Sequence, residues 1–174
     1  WLERNYDITG KDKINDALTA VLTRHSYHPI RDYLNGLQWD GVPRLDKIVI
    51  DYMGAEDNAL NRAMCRKHFT AAVARVFQPG CKYDYCLIMS GAEGIGKSTL
   101  LAIMGGSWFN DSITTTEGKE GMEQLRRAWL IELGELSSIK RSDVEQVKAY
   151  LSKQVDIYRA AYGRRVSEHP RQCV

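Results

Sequence analysis

The stretch Gly91-Ala92-Glu93-Gly94-Ile95-Gly96-Lys97-Ser98 decides the fold class, because it satisfies GxxxxGK[ST] in a fitting context. Before it, Tyr85-Cys86-Leu87-Ile88-Met89 is a short apolar run and reads as a buried strand. After it, Thr99 leads into Leu100-Leu101-Ala102-Ile103-Met104, which reads as a helix. Glycines let the backbone curl so that successive N–H groups face phosphate oxygens, and the helix start adds the positive end of its dipole. On this reading Gly91, Ala92, Glu93, Gly94, Ile95, Gly96, Lys97, Ser98 and Thr99 cradle a nucleotide. Lys97 is expected to reach the β- and γ-phosphates of ATP, and the Ser98 hydroxyl to ligate Mg²⁺.

Such a loop needs an acidic residue at the end of a neighbouring strand. Ala128-Trp129-Leu130-Ile131 is the second candidate for a buried strand, and it ends at Glu132, with Glu135 three residues on. Glu132 is assigned to the magnesium side and Glu135 to polarising the attacking water; the two roles are interchangeable at this level. The catalytic set is then Lys97, Glu132 and Glu135, and the metal set Ser98 and Glu132.

The rest of the chain organises around this core. It has 174 residues, 44% hydrophobic and 26% charged, which is ordinary for a globular protein of one domain plus a small extension. No run approaches ~18 apolar residues, so no membrane helix is expected. The chain opens on Trp1, without an initiator methionine and without the basic-then-apolar order of a secretory signal, and reads as a piece of something longer. Residues 1–79 read as a helical subdomain. Helices are expected from Lys11 to His25 with Thr9 or Asp12 as cap, between Pro29 and Gly36, from Pro43 to a stop at Gly54, and from Asp57 to Phe77. Residues 80–174 read as an α/β parallel-sheet core, with a helix from Ser142 to Gln154 and a hairpin from Val155 to Val166 around Gly163.

Charge and cysteine usage narrow the partners. Net charge is +2, with 24 Lys and Arg against 22 Asp and Glu, so a nucleic-acid surface has to come from local clustering. The clearest basic excess is Lys148, Lys153, Arg159, Arg164 and Arg165 against Asp156, with Tyr158 and Tyr162 interleaved and available to stack on bases. Cys65, Cys81, Cys86 and Cys173 form no CxxC pair, which speaks for free thiols in a cytosol-type compartment and against zinc. The four histidines read as surface or capping groups, and Trp39, Trp108 and Trp129 as core.

Classes of phosphate-loop protein separate by what is missing. The chain has no N-K-x-D base reader of a GTPase and no LSGGQ-like signature of an ABC ATPase. A small-molecule or nucleic-acid kinase stays open, with Arg164-Arg165 as a lid. A non-enzymatic nucleotide-gated module is the third option. The segment from Tyr27-His28-Pro29-Ile30-Arg31-Asp32-Tyr33-Leu34-Asn35-Gly36 through Trp39-Asp40-Gly41-Val42-Pro43-Arg44-Leu45 resembles the one that precedes the loop in virulence-associated protein E family proteins. Gly91 to Leu100 resembles their Walker A loop, Trp129 to Leu136 their Walker B region, and Asp156 to Gly163 the segment before their sensor strand.

That resemblance implies a superfamily 3-like, AAA+ type P-loop NTPase core, in phage- or island-encoded replication proteins of a bacterial host's cytoplasm. It implies ATP hydrolysis, Mg²⁺, single-stranded DNA held by its backbone on Lys148, Arg159, Arg164 and Arg165, a homo-oligomeric ring in the full-length protein, and no membrane. In the family the sensor strand follows the hairpin and an arginine finger comes later. Here the sequence reaches Gln172-Cys173-Val174 where that strand would start, so the core is expected to be truncated at its C-terminus.

Overall fold

The computed structural model describes residues 2–134, 141–160 and 166–174. They divide into two compact units, Trp1–Leu37 and Gln38–Val174. The first unit holds α1 (Leu2–Tyr6), α2 (Lys11–Arg24) and α3 (Pro29–Gly36). α2 starts on Gly10 at φ 95°, with no side-chain cap, so neither Thr9 nor Asp12 caps it. Its apolar stripe of Leu18, Val21 and Leu22 is exposed. α3 begins as its sequence dictates: Pro29 stands in the first turn, and the His28 ring accepts a hydrogen bond from the Arg31 N–H at 3.2 Å.

The second unit opens on a turn. The Asp40 carboxylate accepts from the Val42 N–H at 3.0 Å, and Arg44 grips both its oxygens at 2.9 and 2.7 Å. Trp39 donates its ring N–H to the Val42 carbonyl but is 77% exposed, so it is not the core residue expected from its type. A 3₁₀ turn (Leu45–Lys47) leads into α4 (Ile48–Met53), which stops at Gly54 in the left-handed region, φ 67°. The Asn58 side chain caps α5 (Ala59–Phe77) by accepting from the Asn61 N–H at 2.8 Å.

Val49, Cys65 and Phe69 of these helices form one core with Leu101 of α6 (Lys97–Gly105), and Leu87, Met89 and Phe109 pack against it. The expected boundary lay at residue 79, where Pro79-Gly80 ends α5. The helices before that point nonetheless share their core with residues after it, and the division falls after Leu37.

The sheets are short. β1 (Phe109–Asn110) pairs in parallel with β2 (Leu130–Ile131), with Phe109 opposite Leu130. The chain end lies along the other edge of β2: Ile131 donates to the Val174 carbonyl at 2.9 Å, and Val174 donates to the Trp129 carbonyl at 3.0 Å. That alternation is the parallel pattern. β3 (Val155–Tyr158) pairs antiparallel with β4 (Ser167–Pro170), so the hairpin's return strand lies beyond the expected limit of Val166, and Gly163 falls outside the described residues.

The strand expected at Tyr85–Met89 does not form among the described residues. Leu87 and Met89 still pack against the core, but no neighbouring strand supplies ladder bonds. The remaining helices are α7 (Gly118–Glu123) and α8 (Arg141–Ser152), joined by a buried bond of 2.7 Å from the Tyr150 hydroxyl to the Gly121 carbonyl.

Buried charge fastens the second unit. Arg75 of α5, 3% exposed, donates to the carbonyls of Cys173 at 2.9 Å, Tyr83 at 3.2 Å and Cys81 at 3.3 Å. Arg171 and Asp156 form a two-bond ion pair at 2.7 and 2.8 Å, and Arg171 also donates to the Tyr150 carbonyl. Trp129 is buried as expected, its ring N–H bonded to the Ala72 carbonyl at 2.9 Å. No helix among the described residues is long and apolar enough to cross a membrane.

Candidate nucleotide site

Residues 91–96 form an exposed loop that ends at the first residue of α6. Gly94 and Gly96 stand at φ 79° and 91°, where a side chain is strained. A Cβ on Gly91 would fall 2.9 Å from Ile95 Cδ1. The curl therefore requires glycine at 94 and 96, whereas a Cβ on Gly91 would meet only the movable end of the Ile95 side chain. Among the described residues, no N–H from Ala92 to Gly96 donates to a backbone carbonyl, so the donors stay open to an anion. Glu93, Ile95 and Thr99 are exposed around this concavity.

Lys97, the first residue of α6, folds back over the loop. Its Nζ donates to the Gly91 carbonyl at 2.9 Å and to the Ala92 carbonyl at 2.7 Å. The next residue faces the other way: Ser98 Oγ donates to Glu132 Oε1 at 2.6 Å. Glu132 is set by the parallel pair, since its N–H donates to the Asn110 carbonyl at 2.9 Å. The second carboxylate oxygen, Oε2, is buried and has no partner among the described residues. A buried carboxylate oxygen left unpaired is costly, and a cation beside it would remove that cost. Oxygen donors from a hydroxyl and a carboxylate suit Mg²⁺.

The structure thus brings together Gly91, Ala92, Lys97, Ser98 and Glu132, residues drawn from two separated stretches. Glu135 lies outside the described residues, as do Arg164, Arg165 and Tyr162. Lys148 is exposed on α8 and pairs with Glu145 at 2.7 Å, which offsets part of its charge. Arg159 is exposed just after β3. Tyr158 does not offer a stacking face: it is 6% exposed, and its ring stacks on His169 at 4.2 Å. Its place on the buried face of β3 makes it core.

Beside the loop is a cavity of about 460 Å³, whose lining includes Gly91, Lys97, Glu132, Arg75, His68 and Leu101. Sequence reading passed over Arg75 and took His68 for a surface or capping group. His68 is a half-buried partner of the Tyr83 hydroxyl at 3.1 Å, not a surface group. Burial pushes its imidazole down to about 4, and burial pushes Tyr83 up to about 12. The available signal was position: Arg75 is followed by Val76 and lies three residues after Ala72, on the face of α5 that the core covers.

A family model described as the virulence-associated protein E-like domain matches residues 34–174. No curated protein matches the chain.

Proposed function

Since the chain belongs to the virulence-associated protein E-like domain family, we propose that it is the ATP-binding and ATP-hydrolysing motor domain of a DNA replication helicase of the phage or mobile-element type. The observation that carries this reading is the Ser98–Glu132 pair with its buried, unpartnered oxygen, held next to a loop of open N–H donors. A phosphate loop, a lysine and a strand-end carboxylate around one concavity support an α/β P-loop NTPase core better than a plain glycine turn.

In the proposed chemistry the N–H groups of residues 92–96 bind the phosphate chain, with the N-terminus of α6 behind them. Lys97 leaves the Gly91 and Ala92 carbonyls and places its charge on the β- and γ-phosphates. Ser98 and Glu132 would hold Mg²⁺, which supplies neutralising charge to the phosphate oxygens when bound. Glu135 orients the water for in-line attack on the γ-phosphate. Single-stranded DNA lies along Arg159, with Lys148, Arg164 and Arg165 contributing to its backbone contacts, and copies of the full-length protein assemble as a ring.

The test is binding of Mg·ATP, followed by turnover with and without single-stranded DNA. Lys97→Ala is expected to weaken Mg·ATP binding at least tenfold (about 1.4 kcal/mol) with an unchanged fold by circular dichroism. Unchanged affinity would refute the loop assignment. Turnover that DNA stimulates supports the helicase, whereas phosphate transfer to a small acceptor supports a kinase instead.

A further inference from the structure

Trp39 is 77% exposed, yet its ring is not free to swing: the indole N–H donates to the Val42 carbonyl at 3.2 Å. The turn beneath it is closed by Arg44, which grips both Asp40 oxygens and also donates to the Val42 carbonyl at 3.4 Å. Arg44 holds the Asp40 carboxyl down to about 2, so this clasp stays charged well below neutral pH. Val42 and Leu45 of the same segment are exposed, and Tyr52 of α4 is 66% exposed. The Tyr52 hydroxyl acts on the Arg44 charge, which brings it within reach of the turn. Together these four side chains present roughly 450 Å² of surface, the size of the largest apolar patch on a typical monomer and often a functional one.

We infer that this patch is an interface between two copies of the chain, packed face to face about a two-fold axis with Trp39 near its centre. The charges around it name the partner. Asp40 with Arg44, Asp46 with Arg66 and Asp57 with Arg62 are ion pairs of exposed or half-exposed side chains, three acids against three bases. A surface whose charges are already paired has little to offer a phosphate backbone, so nucleic acid is the wrong partner. The same alternation is complementary to itself: across a two-fold axis, Arg44 of one copy can meet Asp40 of the other. Two facing patches cover about 900 Å², and the flanking ion pairs bring the contact past the ~1,000 Å² that a specific interface needs. Pinning the indole beforehand lowers the entropy lost on association, which suits it to be the anchor. A two-fold contact closes at two copies, so it is distinct from the contacts of the proposed ring and independent of nucleotide.

The test is sedimentation of the chain at concentrations up to about 100 μM, where a contact of this size with a micromolar Kd is populated as a dimer. Trp39→Ala is expected to raise the dimer Kd about tenfold or more, with circular dichroism and Mg·ATP affinity unchanged. Val42 joins the hydrogen bonds of the turn through its backbone alone, so Val42→Glu and Val42→Lys leave them in place. Each of these variants sets like charges against each other across the axis and should be a monomer. An equal mixture of the two should dimerise again, a rescue that a merely structural role would not give. A chain that stays monomeric throughout would overturn the inference, as would a dimer that Trp39→Ala leaves intact or charge variants whose mixture stays monomeric. Single-stranded DNA affinity lost in Trp39→Ala, with self-association unchanged, would also overturn it and assign the tryptophan to nucleic acid.

Discussion

Asp156→Ala tests how far buried charge holds the end of the chain together. Asp156 and Arg171 are each 4% exposed at their side chains, and two bonds of 2.7 and 2.8 Å join them. Removing the carboxylate leaves a buried guanidinium with the Tyr150 carbonyl as its remaining bonded partner. Breaking such a pair costs about 3–5 kcal/mol, because the surviving charge cannot recover its hydration. At about 2–4 °C per kcal/mol for a chain of this length, the thermal midpoint should fall by roughly 6–20 °C. Arg171→Met should cost a similar amount, and the double variant should lose much less than the sum, since it leaves no buried charge behind. Denaturant melts of the four proteins give the coupling energy directly. Additive losses, or a single-variant loss under about 1 kcal/mol, would show that the pair is not what pins β3 and β4 to α8.

Three further outcomes follow from particular residues. The folded protein holds His68 neutral down to about pH 4, while the unfolded chain takes up that proton below about 6.5. Stability should therefore decline as pH falls through that window, by up to about 3 kcal/mol, and His68→Phe should flatten the slope; an unchanged slope in the variant would assign it to other groups. Arg127 stands at φ 72° in an exposed turn, so Arg127→Gly should relieve about 1 kcal/mol and raise the thermal midpoint by roughly 2–4 °C; a lower midpoint would mean that the side chain compensates. Trp39→Ala should cost less than about 0.5 kcal/mol and Trp129→Ala about 3–5, a contrast that chemical melts of the two variants will read.

The legible parts of this fold were those with local causes. Pro29 and Gly36 bracket α3, Gly54 stops α4, and the glycines at 94 and 96 announce a loop whose geometry only they allow. The meeting of Ser98 with Glu132 was legible too, because a strand-end acid is what a phosphate loop requires. What escaped had non-local causes. Tyr85–Met89 has the composition of a strand, but a strand exists only through its neighbours, and none is at hand among the described residues. Trp39 has a core residue's chemistry, yet the tight Asp40–Arg44 turn turns it outward. Tyr158 alternates with arginine as a base-stacking residue would, and the pleat of β3 sends it inward.

The Arg75 clasp also sets an order of events. Its bonds span six and eight residues to Cys81 and Tyr83, but 98 to Cys173. The near contacts can close as soon as α5 forms, while the far one waits for the rest of the unit, from α5 to Cys173, to come back on itself. Until then, one of the three carbonyls that satisfy this buried cation is missing. Detaching Cys173 would uncover the guanidinium while leaving it bonded to the Cys81 and Tyr83 carbonyls. One side chain thus ties the turn at residues 81–83 to a carbonyl 98 residues away, so the approach to the loop at residues 91–96 is anchored by a contact distant in sequence.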